Sequence, residues 1–202
     1  MKKTIFSVAT ALVALFAVST SADAQNYAQF KKGDLAFNLD YGMGAFTSYD
    51  GIDFDDNIFQ HSIGLSGEYG IMDGMINGKG SIGVGGQFGL GFGREKYEGL
   101  GYEDKTIATR IRIATRGVFH YQFTPAFDTY GGLTFCFVDI DNYTFKSKYE
   151  GVETKSDHTD TNFIEPRLFV GARYMVSNSF GFNLETTWDR FAYVAIGVTF
   201  KM

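Results

Sequence analysis

No apolar run in this chain of 202 residues approaches the roughly 20 needed for a membrane-spanning helix, so passage through a bilayer as a helix is excluded. Cysteine is almost absent. A single Cys136 rules out an intramolecular disulfide and reads as a packed, unreactive thiol within a strand. Proline occurs twice, at Pro125 and Pro166, so long stretches have nothing to break them. Positive charge is also short: 18 Lys and Arg against 23 Asp and Glu give a net charge of −5, which argues against nucleic-acid binding. Helical periodicity is scarce as well, and that leaves the strand as the main building unit.

Aromatic residues, in contrast, make up 17% of the chain, and 25 residues are glycine. Eight stretches alternate apolar with polar or small residues, most of them over 9 to 13 residues, the length that crosses a bilayer at a tilt. They run at about 34–45, 59–71, 81–93, 106–123, 127–140, 163–175, 180–189 and 192–202. In the third, Ile82, Val84, Phe88, Leu90 and Phe92 share one face, and the other is glycine, serine and glutamine. Successive strand residues point to opposite sides. Eight such stretches predict an all-β fold, an eight-stranded antiparallel up-and-down transmembrane β-barrel, oily outside and polar inside. Pro166 falls within the sixth stretch, where a bulge or a strand start is expected.

The first 24 residues read as a cleavable leader. Lys2 and Lys3 precede the apolar run Ile5–Val18, which is too short to span a membrane, and Ala22-Asp23-Ala24 offers a cleavage site before Gln25. The expected organisation is thus a signal peptide at 1–24 and one barrel domain at 25–202. Links of roughly 12 to 22 residues after the first, third and fifth stretches alternate with short turns, Thr124-Pro125-Ala126 and Val176-Ser177-Asn178-Ser179 among them. Long outer loops and short periplasmic turns produce such an alternation. The short link near Arg190 departs from it.

On these features the chain resembles the small eight-stranded outer-membrane barrels of Gram-negative bacteria, the group that includes the OmpA transmembrane domain, OmpX and OmpW. The last stretch, Val194-Ala195-Ile196-Gly197-Val198-Thr199-Phe200, looks like the C-terminal signal read by the outer-membrane assembly machinery, although Lys201 and Met202 follow its aromatic. The resemblance implies location in the cell outer membrane and contact with outer-membrane lipid and lipopolysaccharide. It also implies contact with the assembly machinery and an extracellular partner for the loops.

Candidate chemistry concentrates inside. Arg110, Arg112, Arg116, Arg167 and Arg173 are expected to face the lumen with Asp40, Glu68, Glu165 and Glu185. Because an eight-stranded interior is just wide enough to be filled by side chains, a paired plug is favoured over an ion-selective constriction. Of the histidines, His120 reads as a lumen hydrogen-bonder and His158 as a loop residue, while His61 and Ser62 point to opposite faces. Lipid A deacylases of this architecture place His and Ser two apart on one strand, but Gln122 stands two residues after His120, so that match fails. Asp50, Asp53, Asp55 and Asp56 form an acidic loop with no recognisable calcium spacing, and no metal or cofactor is expected. Gly78-Lys79-Gly80-Ser81-Ile82-Gly83 matches the dinucleotide pattern only in letters, because a strand follows it. The function expected is non-enzymatic display of outer loops for envelope integrity, adhesion or partner binding. The alternatives are a narrow OmpW-like channel and, third, a lipid-modifying enzyme.

Overall fold

A computed structural model of the chain describes residues 29–46, 58–99, 102–149, 152–162, 165–188 and 191–202. Among these residues there are nine strands: β1 (Leu35–Phe46), β2 (Ile58–Gly74), β3 (Gly80–Gly99), β4 (Tyr102–Thr124), β5 (Phe127–Tyr149), β6 (Val152–Asn162), β7 (Glu165–Met175), β8 (Phe180–Thr187) and β9 (Val194–Lys201). All pair antiparallel. The ring runs β1-β2-β3-β4-β5-β7-β8-β9 and closes through β9 on β1, giving eight strands with no free edge in the wall. The sequence repeat and the ring agree: the protein is an eight-stranded transmembrane-type β-barrel.

Strict alternation decides which side of each strand meets lipid. On β1, Leu35, Phe37, Leu39, Tyr41 and Met43 are exposed while Ala36, Asn38 and Asp40 are buried. On β4, Ile111, Ile113 and Phe119 are exposed while Arg110, Arg112, Arg116 and His120 are buried. Oily residues outside and charged ones inside invert the order of a water-soluble sheet, as expected of a wall solvated by hydrocarbon. Rings gather near the short turns, where Phe180 lies 5.4 Å from both Phe182 and Phe200 and Tyr121 lies 4.9 Å from Phe123. They form an interfacial belt at that end.

The strands run further than the sequence pattern indicates. The links expected after the third and fifth stretches are not loops. β3 and β4 stay paired up to Gly99↔Tyr102, and β4 and β5 up to Tyr102↔Tyr149. β6 pairs with the outer half of β5, from Asp139↔Asn162 to Tyr149↔Val152, and β7 pairs with the inner half. Beyond the ring, β3 to β6 therefore continue as a four-stranded sheet. Alternation failed to reveal it because the face that continues the lipid side turns polar there, with Arg94, Lys96, Lys105, Lys146 and Lys155, while the aromatics Tyr97, Tyr102, Tyr143 and Phe145 lie on the other face. His158, expected in a loop, sits half-buried on β6 opposite Tyr143. Pro166 is the second residue of β7, at a strand start. The acidic loop Asp50, Asp53, Asp55 and Asp56 lies outside the described residues, as does the leader.

Both ends of the barrel are occupied. At the short-turn end residues 29–34 turn into the mouth: Gly33 N–H donates to Gly70 O at 2.8 Å, and Lys201 Nζ donates to Gln29 O at 2.8 Å. Phe30 is 3% exposed. At the far end the short link after β8 folds inward, burying Phe191 and Ala192, with Gln60 Nε2 donating to Phe191 O at 2.7 Å. This explains why the link breaks the long–short alternation: it closes the mouth instead of leaving it. Gly89 is required beneath it, since a Cβ there would lie 2.3 Å from Phe191 Cζ.

Candidate functional site: the lumen charge network

The lumen is a stack of paired charges. Near the short-turn end His120 is held between two carboxylates, with Nδ1 2.8 Å from Asp128 Oδ2 and Nε2 in hydrogen-bond contact with Glu68. Phe30 covers this imidazole at 4.7 Å between rings. Arg173 reaches toward Glu68 and Asp128 at 3.8 and 3.9 Å, beyond hydrogen-bond range, and lies 5.3 Å from the Tyr130 ring.

One layer up, Arg116 Nη2 donates to Glu185 Oε2 at 2.6 Å, and its guanidinium stacks 4.0 Å from the Phe169 ring. Asp40 accepts from Asn183 Nδ2 at 2.5 Å, and a chain of neutral groups continues from there. Thr199 Oγ1 donates to Asn38 Oδ1 at 2.7 Å, and Asn38 Nδ2 donates to Ser66 Oγ at 3.0 Å. Toward the far end Asp139 Oδ2 accepts from Arg112 at 2.9 Å and from Arg167 at 3.1 Å. Arg112 also lies 4.4 Å from the centroid of the Phe191 ring that closes this mouth. Uppermost, Arg110 grips Asp141 with two nitrogens, Nη2 to Oδ2 at 2.6 Å.

The five expected arginines and Asp40, Glu68 and Glu185 thus share one interior. Arg167 is the least enclosed of the arginines, with its side chain 14% exposed. The Glu165 side chain lies outside the described residues. Asp128, also on β5 and buried, faces inward in the same parity as the first part of that strand, but two essential partners do not follow from alternation: Asp139 and Asp141, both on β5 and both buried. The reason is local. β5 slips register against β4 between Ile113 and Ala114, so that Ile113 pairs with Val138 and Ala114 with Cys136. Phe137 is the extra residue of this bulge. Before it the even-numbered residues Asp128, Tyr130, Thr134 and Cys136 face inward; after it the odd-numbered Asp139, Asp141 and Tyr143 do. Continued period-two reading would turn Asp139 and Asp141 toward lipid. Unpaired buried arginines were the signal that such carboxylates had to exist.

Among the described residues these groups leave little room between them. A cavity of about 20 Å³ lies between Asp40, Arg112, Glu185 and Phe191, room for about one water. Among the described residues no group of three or more His, Cys, Asp or Glu side chains is placed to hold a metal ion. His61, on the outer wall, contacts the Tyr41 hydroxyl and packs edge-on against Phe59 at 4.9 Å. Above the ring, ion pairs are exposed. Lys96 meets Glu98 and Glu103, which hold its ammonium above the ordinary lysine range, and Lys96 in turn holds the Glu98 carboxyl low.

No protein-family model matches the chain, and no curated protein matches its sequence. Solved structures of similar shape include Ail, the attachment invasion locus protein of Yersinia pestis, in complex with the heparin analogue sucrose octasulfate. That match has 14% identity over 85% of this chain and 99% of the other, with a TM-score of 0.48. A de novo designed transmembrane β-barrel matches at 17% identity over 86% of this chain and 99% of its own, with a TM-score of 0.47. Neisserial surface protein A matches at 14% identity over 86% of this chain and 100% of its own, with a TM-score of 0.43.

Proposed function

We propose that this protein is a closed, non-enzymatic barrel of the bacterial outer membrane that holds a rigid β-sheet outside the membrane for adhesion, envelope integrity or partner binding. The observation that carries this reading is the filled lumen. Four of its five arginines hydrogen-bond carboxylates and Arg173 lies within 4 Å of two more, Phe30 and Phe191 cover its two mouths, and the cavity between them is about 20 Å³. Transport needs a continuous wet path, and a salt-bridged interior does not supply one. The paired outer halves of β3 to β6, charged on one face and aromatic on the other, then form the part of the molecule with which anything outside the membrane would meet. Catalysis is disfavoured by the chemistry of His120: both ring nitrogens are engaged by carboxylates, which leaves no lone pair to activate a hydroxyl. In this reading residues 1–24 are a signal peptide removed before Gln25, the lipid-facing wall contacts outer-membrane lipid and lipopolysaccharide, and β9 is presented to the assembly machinery. Planar-bilayer recording of the refolded chain tests the closed state. Silence is expected, and stable unitary steps with an ion preference would instead establish the narrow channel.

A further inference from the structure

The sheet beyond the ring carries an arrangement visible only in its register. Lys96 pairs with Lys105, Lys105 with Lys146, and Lys146 with Lys155. Four lysines therefore stand directly opposite one another across four adjacent strands, in a row roughly 14 Å wide at the usual strand spacing. Like charges directly opposite destabilise a sheet. Exposed carboxylates offset part of this: Glu98 and Glu103 meet Lys96, Asp157 lies 2.7 Å from Lys155, and Glu153 lies 4.0 Å from Lys146. Lys105, near the centre of the row, has no ion pair among the described residues, nor does Lys148, one row further out. Arg94 adds a further cation on the same face. That face carries two more cations than carboxylates on a chain whose net charge is −5.

The orientation of the row follows from strand continuity. β3 and β4 pair without slippage from Gly80↔Tyr121 to Gly99↔Tyr102, so Lys96 shares a face with Phe88, Leu90 and Phe92, all on the lipid side of the wall. Lys105 likewise shares a face with Ile107, Ile111 and Ile113. The row thus lies four residues beyond Phe92. That is about 13 Å along the strand, or about 10 Å above the last oily ring at the usual tilt. The opposite face, directly over the lumen mouth, carries Glu95, Asp104 and Asp160. Its charge is of the other sign, so the lysines do not serve the lumen.

We propose that Lys96, Lys105, Lys146 and Lys155 form a docking row for the phosphate groups of outer-leaflet lipopolysaccharide, clasping the glycolipid that abuts the β3–β6 side of the barrel. The proposal rests on the outer-membrane placement above. It commits to a membrane-borne anion over a soluble one because the row faces sideways along the membrane, at headgroup height, and not up from the tip. Lysine suits the task as a flexible point charge that can follow several phosphates.

The test uses the full mature chain refolded in nanodiscs containing either phosphorylated lipopolysaccharide or the same lipopolysaccharide after phosphatase treatment. After detergent exchange, the glycolipid retained per barrel is counted by native mass spectrometry. Wild type is expected to retain at least tenfold more of the phosphorylated form, also when divalent cations are chelated. The quadruple variant Lys96→Gln, Lys105→Gln, Lys146→Gln, Lys155→Gln should lose that preference while keeping the heat-dependent gel mobility of a folded barrel. The double variant Lys105→Gln, Lys146→Gln, which leaves every ion pair of the row except Lys146–Glu153 in place, should fall between. Equal retention of the two glycolipids by wild type overturns the proposal, as does an unchanged preference in either variant. Row-dependent capture of a soluble sulfated polysaccharide without any preference for phosphorylated lipopolysaccharide also overturns it, by assigning the row to an external polyanion. Conductance is read separately: a conducting barrel that keeps the preference refutes the closed lumen and leaves the row standing.

Discussion

Removing Arg116 isolates the energetics of the lumen. Its side chain is 5% exposed, donates to Glu185 at 2.6 Å and stacks on Phe169 at 4.0 Å. Arg116→Met keeps most of the volume and the contact with Phe169, but strands the Glu185 carboxylate, itself only 7% exposed, beside a cavity that Asp40 also lines. Breaking a buried pair on one side costs about 3–5 kcal/mol, since the surviving charge is neither solvated nor matched. Removing both charges differs in kind. Arg116→Met with Glu185→Leu leaves no orphan, and such replacements are close to neutral or stabilising. The double variant should therefore be more stable than Arg116→Met alone, with a coupling of at least about 2 kcal/mol. Reversible urea unfolding from vesicles measures this, and Trp188, the single tryptophan, supplies the fluorescence signal. A single variant costing less than about 1 kcal/mol, or effects that add within about 0.5 kcal/mol, would refute the paired-plug account.

Leu133→Arg, on the lipid face, should cost about 2–4 kcal/mol in the same assay if that position lies near the bilayer midplane, whereas Lys148→Arg on the outer sheet should be neutral. Combining Phe30→Ala with Phe191→Ala uncovers both mouths and should convert a silent barrel into one with small unitary conductance; continued silence would show that the charge stack alone closes the lumen. The Glu98 carboxyl is held below its ordinary value of 4.5 by Lys96, and Asp157 below 3.8 by Lys155 and Thr144. Groups depressed in this way contribute stability that is present above their ordinary values and lost as pH falls through the folded ones. Amide-exchange protection in the outer halves of β3 to β6 should accordingly weaken on acidification below about pH 4 and with added salt, while the membrane-embedded wall keeps its protection.

Period-two alternation belongs to each strand alone, because a residue faces lipid or lumen according to its parity, whatever its neighbours do. The oily band, the inward arginines of β4 and the number of wall strands were therefore legible from the amino-acid order. So was the need for carboxylate partners, since five arginines in a narrow interior cannot remain unpaired. The partners of Arg110, Arg112 and Arg167, namely Asp141 and Asp139, depended on one bulge. Phe137 reverses the parity of β5, and bulges arise from how two strands fit, not from the residues of one. The inward fold of Phe191 was hidden for a similar reason: it depends on Gly89, about a hundred positions earlier in the chain, leaving room for a ring. The lysine row is the furthest from sequence. Lys96, Lys105, Lys146 and Lys155 are scattered along the chain, and only the registers of three separate strand pairs bring them into one line.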